Sequence, residues 1–212
     1  MHLKRPNTSK IWPIPRKGTK YLVVPAHSKE DGIPVLILMR EVLGFVKTRK
    51  ELVKVLREGK ILINDAPIKD EKRTLLLFDT LSIPSMNKYY RIEFSDTRKI
   101  KLEEINEKES HSKITKLVNK TKLKGGKNQL NFNDGRNLIS DEKVSVGDSV
   151  KIKFKDNKIE KVIPILEKGK LLVTSGKHRG EKVIVESIGE KINVKSGNSN
   201  FEINKKEVIA IE

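Results

Sequence analysis

Turn-forming residues recur along the whole chain, and they divide it into modules that are each too small to bury a large core. The length of 212 residues would fit one or two domains. The turns indicate three modules, 35–90, 91–165 and 166–212, behind an N-terminal segment, 1–34. Only 36% of the residues are hydrophobic. Each core should therefore be marginal by itself, and binding a partner could supply further stability.

The clearest helix lies at residues 47–60, and its charged residues are sorted by sign. At about 100° per residue, Leu52, Val55 and Leu56 share a core-facing arc. A second arc carries only cations: Arg49, Lys50, Lys54 and Arg57. A helix selected only for solubility would intersperse the signs and gain from pairs four residues apart. A purely cationic face favours a nucleic-acid partner.

This helix also has defined ends. Thr48 and Glu51 form a capping box, and Gly59 provides the left-handed residue at the C-terminus. The chain then predicts a short strand and a turn at residues 64–67. A basic helix is thus expected to pack beside a small hairpin.

The remaining patterns predict a helix before this module's basic helix and strands after the module. Residues 35–43 predict a helix, because positions 35, 36, 39, 42 and 43 share a face. Residues 146–154 alternate apolar and polar residues after a Gly-Asp turn, and 156–158 form a hairpin loop into 159–165. The last module has short strands separated by Gly and Asn. The middle and last modules are therefore β-rich.

The charge balance identifies the class of partner. There are 45 Lys and Arg residues against 28 Asp and Glu, a net charge of +17, and such a chain is expected to bind a polyanion. The first acidic residue is Glu30, so the basic residues before it are uncompensated. These could form a solvated tail. Trp12, Tyr21 and several prolines instead indicate an arm that docks.

A second basic motif lies in the last module. Gly176 and Gly180 allow a tight loop between two strands, with Lys177, His178 and Arg179 at the tip of a small barrel. Such a loop can contact phosphates. An ordinary hairpin tip with solubilising charges is the alternative. Residues 124–127 are a weaker candidate of the same kind.

These motifs resemble a known family. Residues 47–83 resemble the αL RNA-binding motif, with Thr48-Arg49, Gly59, Asn64-Asp65 and Phe78-Asp79 in its key places, and residues 171–188 resemble the KOW motif. The order of arm, αL motif, β-rich middle and KOW module resembles the e-type small-subunit ribosomal protein four family of archaea and eukaryotes. The stretch Trp12–Pro15 looks archaeal. Asp65 and Phe78 replace glycines of the αL pattern, and Lys182 replaces a KOW glycine.

The resemblance implies an α+β fold with a basic N-terminal arm, a small αL RNA-binding module, a β-rich central domain and a C-terminal SH3-like KOW β-barrel. It implies a structural constituent of the small ribosomal subunit, with small-subunit rRNA and neighbouring ribosomal proteins as partners. The residues expected to contact RNA are Lys4, Arg5, Arg16, Lys17, Lys47, Thr48, Arg49, Lys50, Lys54, Arg57, Lys60, Lys177, His178 and Arg179.

Two other functions would use some of the same motifs. An RNA-modifying enzyme such as a pseudouridine synthase can carry an αL module, but its Gly-Arg-Leu-Asp segment is missing: residues 135–138 read Gly-Arg-Asn-Leu. A ribosome assembly or transcription-elongation factor could use the KOW module transiently. Four scattered histidines and the absence of cysteine predict no metal site, no cofactor and no small-molecule substrate. No membrane partner is expected, and the features favour the cytoplasm.

Overall fold

The computed structural model describes residues 2–124, 126–140, 142–197 and 199–211. The described residues form a mostly β structure with few, short helices, in two compact units, Met1–His111 and Ser112–Glu212. The sequence prediction of a β-rich chain is thus confirmed at this level. No helix in the described ranges is long and apolar enough to cross a bilayer.

In the first unit, the N-terminal arm folds back onto the rest of the unit. Strands β1 (Leu3–Lys4) and β2 (Tyr21–Leu22) pair antiparallel. Trp12 is buried, and its indole Nε1 donates to the carbonyl of Gly32 at 2.8 Å. The arm therefore docks, because the apolar side chain of Trp12 is removed from water and its only polar atom keeps a partner.

Two helical segments follow the arm. After β3 (Ile33–Pro34), an α-helix α1 (Val35–Ile37) widens at once into a π-helical stretch, Leu38–Val42, where the sequence had predicted a regular helix. Helix α2 spans Arg49–Arg57. Its Leu52 and Leu56 are buried in the same core as Trp12, as the helical periodicity predicted.

A five-stranded antiparallel sheet completes the first unit, and its strands are β4 (Leu62–Ile63), β5 (Ala66–Pro67), β7 (Thr80–Ile83), β8 (Lys88–Phe94) and β9 (Ile100–Glu104), in the spatial order β5-β4-β7-β8-β9. Strand β6 (Thr74–Leu75) lies outside this sheet and pairs with β3. A short helix, α3 (Glu107–Ser110), follows β9. Strand β8 runs through the boundary expected at residue 90. Ile100 of β9 belongs to the core that contains α2, so the unit extends to His111.

The second unit contains two further antiparallel sheets. The first has the order β12-β11-β10-β13-β14, and its strands are β10 (Ser112–Lys122), β11 (Asn128–Phe132), β12 (Asn137–Ile139), β13 (Ser149–Lys153) and β14 (Lys158–Ile163). The second has the order β18-β17-β16-β15-β19, and its strands are β15 (Lys170–Val173), β16 (Lys182–Ile188), β17 (Lys191–Ser196), β18 (Ser199–Asn204) and β19 (Val208–Ala210). Each sheet has its own hydrophobic cluster.

Hydrogen bonds join these two sheets. The backbone N–H of Ala210 donates to Ser149 Oγ at 2.8 Å. The buried ammonium of Lys116, on β10, donates to the carbonyl of Lys205 and, at 2.8 Å, to that of Val208. The boundary expected between residues 165 and 166 therefore lies inside one compact unit.

Candidate nucleic-acid interface

Helix α2 begins and ends where the sequence predicts. Thr48 Oγ1 accepts from the backbone N–H of Glu51 at 3.3 Å, and Glu51 Oε2 accepts from the N–H groups of Lys47 and Thr48 at 2.8 and 3.3 Å. These hydrogen bonds, first the one from Lys47, hold the pKa of Glu51 below its usual value. Gly59 adopts a φ of +68° after the helix. The hydroxyl of Thr48 thus has a capping role before any contact with RNA.

The cations of α2 lie on one exposed face. Arg49, Lys50, Lys54 and Arg57 are all solvent-exposed and line a shallow groove of about 480 Å³ together with Val53 and Glu58. Glu58 is engaged by Lys60 at 2.6 Å, which lowers the pKa of its carboxyl. This face can hold an extended anionic chain, because Lys50, Lys54 and Arg57 follow the helix axis at spacings of four and three residues.

Arg49 differs from its neighbours because it has a buried acidic partner. Its Nε and Nη2 donate to Oε1 of Glu71 at 2.9 and 2.5 Å. The Glu71 side chain is 9% exposed, whereas that of Arg49 is 64% exposed. Glu71 therefore fixes the guanidinium at the start of the helix and cancels part of its charge.

The hairpin beside α2 makes its turns without the glycines of the αL pattern. Asn64, Asp65 and Phe78 adopt φ values of +52°, +62° and +63°, a region that L-residues rarely occupy. Asp79 stabilises both turns: its Oδ1 accepts from Asn64 Nδ2 and its Oδ2 from the backbone N–H of Leu76, each at 2.8 Å. The two substitutions therefore leave the turns left-handed.

The basic residues of the arm divide into two groups. Lys4, Arg16 and Lys17 are exposed. Arg5 is buried: its Nη1 donates to the carbonyl of Pro15 at 2.7 Å, and its Nε and Nη2 donate to the carbonyl and hydroxyl of Thr19 at 2.8 and 3.0 Å. The guanidinium organises the arm and does not face solvent, so we withdraw Arg5 from the expected RNA contacts. Its partners lie at least ten residues away, a distance at which no local pattern reveals them.

The loop between β15 and β16 also differs from the prediction that Lys177, His178 and Arg179 are all displayed at its tip. Gly176 and Gly180 have φ values of +80° and +87°, and Lys177 is exposed at the tip. The ring of His178 stacks on Phe201 with centroids 3.8 Å apart, and its Nδ1 lies 3.1 Å from Glu181 Oε1. Arg179 Nε donates to the carbonyl of Thr174 at 2.7 Å. Only Lys177 of the three extends fully into solvent.

The structure therefore brings together two groups of predicted residues. The arm and α2 belong to the first unit, and the 176–180 loop belongs to the second. In the weaker candidate loop, Lys124 and Lys127 are exposed, while Gly125 lies outside the described residues. A feature that charge counting missed is Tyr21, whose side chain remains 51% exposed although the arm around it is docked. An aromatic residue directly after the cation Lys20 was the available signal.

Comparisons with known proteins agree with this architecture. The model of the Ribosomal family S4e matches residues 86–159. Small ribosomal subunit protein eS4 of Methanocella arvoryzae is 35% identical over 220 residues, which cover 99% of this chain and 93% of that protein. The protein of the same name from Nanoarchaeum equitans is 33% identical over 191 residues, 88% of this chain and 82% of that protein.

A solved structure agrees at the level of the fold. The crystal structure of the 30S ribosomal protein S4e from Thermoplasma acidophilum superposes with a TM-score of 0.72 at 23% identity, covering 86% of this chain and 96% of that one. Because relatives match most of its length at 33–35% identity, this chain belongs to the ribosomal protein family S4e.

Proposed function

We propose that this chain is a structural constituent of the small ribosomal subunit in the cytoplasm, where it binds small-subunit rRNA and contacts neighbouring ribosomal proteins. The relatives that match nearly its whole length are named as small-subunit proteins. As a member of this family of structural proteins, the chain is not an enzyme. No cofactor or small-molecule substrate enters this function.

The observation that carries the proposal is the exposed cationic face of α2. A positive net charge alone would attract any polyanion. This helix is in addition anchored in the core by Leu52 and Leu56, so its cations project to solvent from a fixed backbone. Cations carried by a fixed helix can follow an RNA backbone through phosphate contacts. Because A-form RNA denies side chains its deep major groove, specificity would come from RNA shape and from the fixed spacing of several contacts.

The finer architecture belongs to the same proposal. The unit formed by α2 and its hairpin would act as the αL RNA-binding module, and the sheet β15–β19 as a KOW barrel of the SH3-like kind. Supporting this, the helix carries the capping box of Thr48 and Glu51, and the 176–180 loop presents Lys177 between two left-handed glycines. Lys4, Arg16, Lys17, Lys47 and Lys60 would add further phosphate contacts.

The first test is the copy number of this protein per small subunit, measured by quantitative mass spectrometry before and after a high-salt wash. An integral component should be present at one copy and survive the wash, because several modules must dissociate together. Much less than one copy, removed by salt, would favour a transient assembly or elongation factor.

The second test is the salt dependence of binding to isolated small-subunit rRNA. If the protein neutralises about 6–10 phosphates, its affinity should fall roughly 10³- to 10⁵-fold between 50 and 200 mM salt. A nearly flat response would contradict binding through phosphate contacts.

A further inference from the structure

A groove lies between the arm and the start of α2, in addition to the cationic face. We name it the arm groove and define it by residues 21–26 of the arm on one side and by Leu36, Arg40, Arg49, Glu71 and Lys72 on the other. Its volume is about 580 Å³, within the roughly 300–1,000 Å³ typical of pockets for small organic groups. It is therefore large enough for a single nucleobase and its sugar.

Tyr21 gives the arm groove an aromatic surface. Its side chain is half exposed, and the ammonium of Lys20 lies 5.4 Å from the ring centroid. The ring of His2 is tilted against it at 5.6 Å. An exposed aromatic ring with a cation nearby suits the stacking of an unpaired base, because every base offers a π-face and the cation can contact its phosphate.

The arm groove adjoins the cationic face of α2 at Arg49, which lines both. An RNA strand that followed Lys54 and Lys50 towards the start of the helix would reach Arg49 next. Arg49 is held there by Glu71, so its position does not depend on the RNA. The strand would then enter a groove lined by the cation Lys72 and by Arg40, whose guanidinium is paired with Glu41 at 2.9 Å.

Glu71 distinguishes this groove from an ordinary phosphate site. A carboxylate beside Arg49 disfavours a phosphate at close range, because it already neutralises part of the charge of the guanidinium. The bases of an A-form helix are stacked and paired, so only an unpaired nucleotide could present its face and edge here.

We propose that the arm groove holds one unpaired nucleotide of the bound RNA, with its base stacked on Tyr21 and its phosphate beside Lys20. This inference rests on the proposed RNA-binding function and adds a base contact to a surface otherwise made of phosphate contacts. It assigns Tyr21 a stacking role that no cationic side chain at another position could fill.

The test compares two fluorescent probes with the full-length chain by anisotropy. One is an oligouridine about ten nucleotides long, within the usual site sizes of single-strand binders. The other is the same oligomer without bases, which keeps every phosphate. Tyr21→Ala should weaken binding of the oligouridine by about 5- to 150-fold, the range measured for loss of one stacked base, and leave the abasic probe unaffected. Tyr21→Phe should bind both probes like the unmodified protein.

Two controls accompany the substitution. Tyr89→Ala removes a tyrosine that does not line the groove and should change neither affinity. Trp12 is the only tryptophan in the chain and is buried in the docked arm, so its fluorescence reports whether Tyr21→Ala leaves the arm in place. A variant with an undocked arm would be replaced by Tyr21→Leu, which keeps apolar bulk but cannot stack.

The outcomes separate this inference from the proposed function. Equal losses on both probes, or equal affinity of the unmodified protein for both, would overturn the stacked base while leaving phosphate binding intact. If Tyr21→Ala binds both probes like the unmodified protein but is present at a lower copy number in the small subunit, the groove contacts a neighbouring protein, and the stacked base is overturned as well. Failure of the unmodified protein to bind either probe or isolated rRNA would overturn the proposed function itself.

Discussion

Helix α2 and the 176–180 loop carry similar local densities of cations, yet the structure uses these cations differently. On α2 all four cations of the predicted face are exposed, and only Arg49 has an acidic partner among the contacts described above. In the loop, His178 stacks on Phe201 and Arg179 donates to the carbonyl of Thr174, which leaves Lys177 exposed. The number of cations in a motif therefore does not give the charge that it offers to RNA.

The difference has a geometric origin. In a helix the backbone fixes the direction of each side chain, and burying Leu52 and Leu56 forces the cations of the opposite arc towards solvent. In a loop between two glycines no such periodicity exists, and each side chain takes whatever partner the neighbouring strands offer. We therefore expect α2 to contribute most of the electrostatic affinity and the loop to contribute chiefly its shape.

The largest effect should come from reversing charge on α2. Lys50→Glu combined with Lys54→Glu should weaken rRNA binding by about 100-fold or more near 0.1 M salt, because two phosphate contacts are lost and two repulsions are added. The circular dichroism spectrum should not change, since both side chains are exposed. Arg49 is not used, because glutamate there would face the carboxylate of Glu71.

The matched control is Lys99→Glu combined with Lys101→Glu, which changes the net charge equally at exposed positions near and on β9. If this pair weakens binding as much as the α2 pair, net charge and not the sorted helix face determines affinity. Filter binding or anisotropy at several salt concentrations would distinguish the two explanations.

The next largest effect concerns Lys116, a cation that is turned inward and buried. Burial lowers the pKa of its ammonium to about 8 from the usual 10.5. Between these values the unfolded chain holds more protons than the folded one, so the free energy of unfolding should rise with pH, by about 3 kcal/mol at most. The neutral amine still has two N–H groups for the carbonyls of Lys205 and Val208.

Urea unfolding followed by circular dichroism at a series of pH values would measure this rise. Other titrating groups also respond, so the relevant quantity is the difference between the unmodified chain and Lys116→Met, which keeps the length of the side chain without a titrating group. The free energy of unfolding of the unmodified chain, relative to that of Lys116→Met, should rise between pH 8 and 10.5. A constant difference would mean that the buried ammonium titrates as it does in water.

A smaller effect is expected for the single exposed cation of the loop. Lys177→Ala should reduce rRNA affinity by about tenfold near 0.1 M salt and lower the slope of log affinity against log salt by about one, as for one phosphate contact. Thermal stability should not change. An equal loss on Arg179→Ala with unchanged stability would show that the folded-back guanidinium also reaches RNA, and the contrast with α2 would weaken.

The smallest effect should come from the stack beneath the loop. Phe201→Ala removes the ring against which His178 lies, and it should cost about 1 kcal/mol of stability beyond the lost burial. Affinity for rRNA should fall less than for Lys177→Ala, because the loop loses its support but keeps its cation. Restoration by Phe201→Tyr, which can stack, would identify ring stacking as the cause; failure of tyrosine to restore the loop would contradict this role.

Much of the first unit could be predicted from local sequence. The capping box of Thr48 and Glu51, the left-handed Gly59 and the buried arc of α2 follow from interactions within four residues, so one segment contains all the necessary information. The π-helical stretch Leu38–Val42 was not predicted, because its side chains follow the same apolar pattern as an α-helix.

The division into units could not be predicted in the same way. Turn residues mark where the chain can change direction, but they do not say which strands pair afterwards. Strand β8 continues through the expected boundary because its partner β7 lies before it and β9 lies after it. The RNA contacts expected from the sequence, apart from Arg5, stay predictions.

The sequence by itself determined the family, the excess of cations and the direction in which α2 presents them, because these depend on composition and on a fixed helical period. Only the tertiary structure decided that Arg5 is hydrogen-bonded within the arm, that Lys116 donates a hydrogen bond to a carbonyl 92 residues away, and that Tyr21 is left exposed. A long side chain is directed by whichever groups surround its end. Those groups are brought there by the fold, from parts of the chain that no local pattern connects.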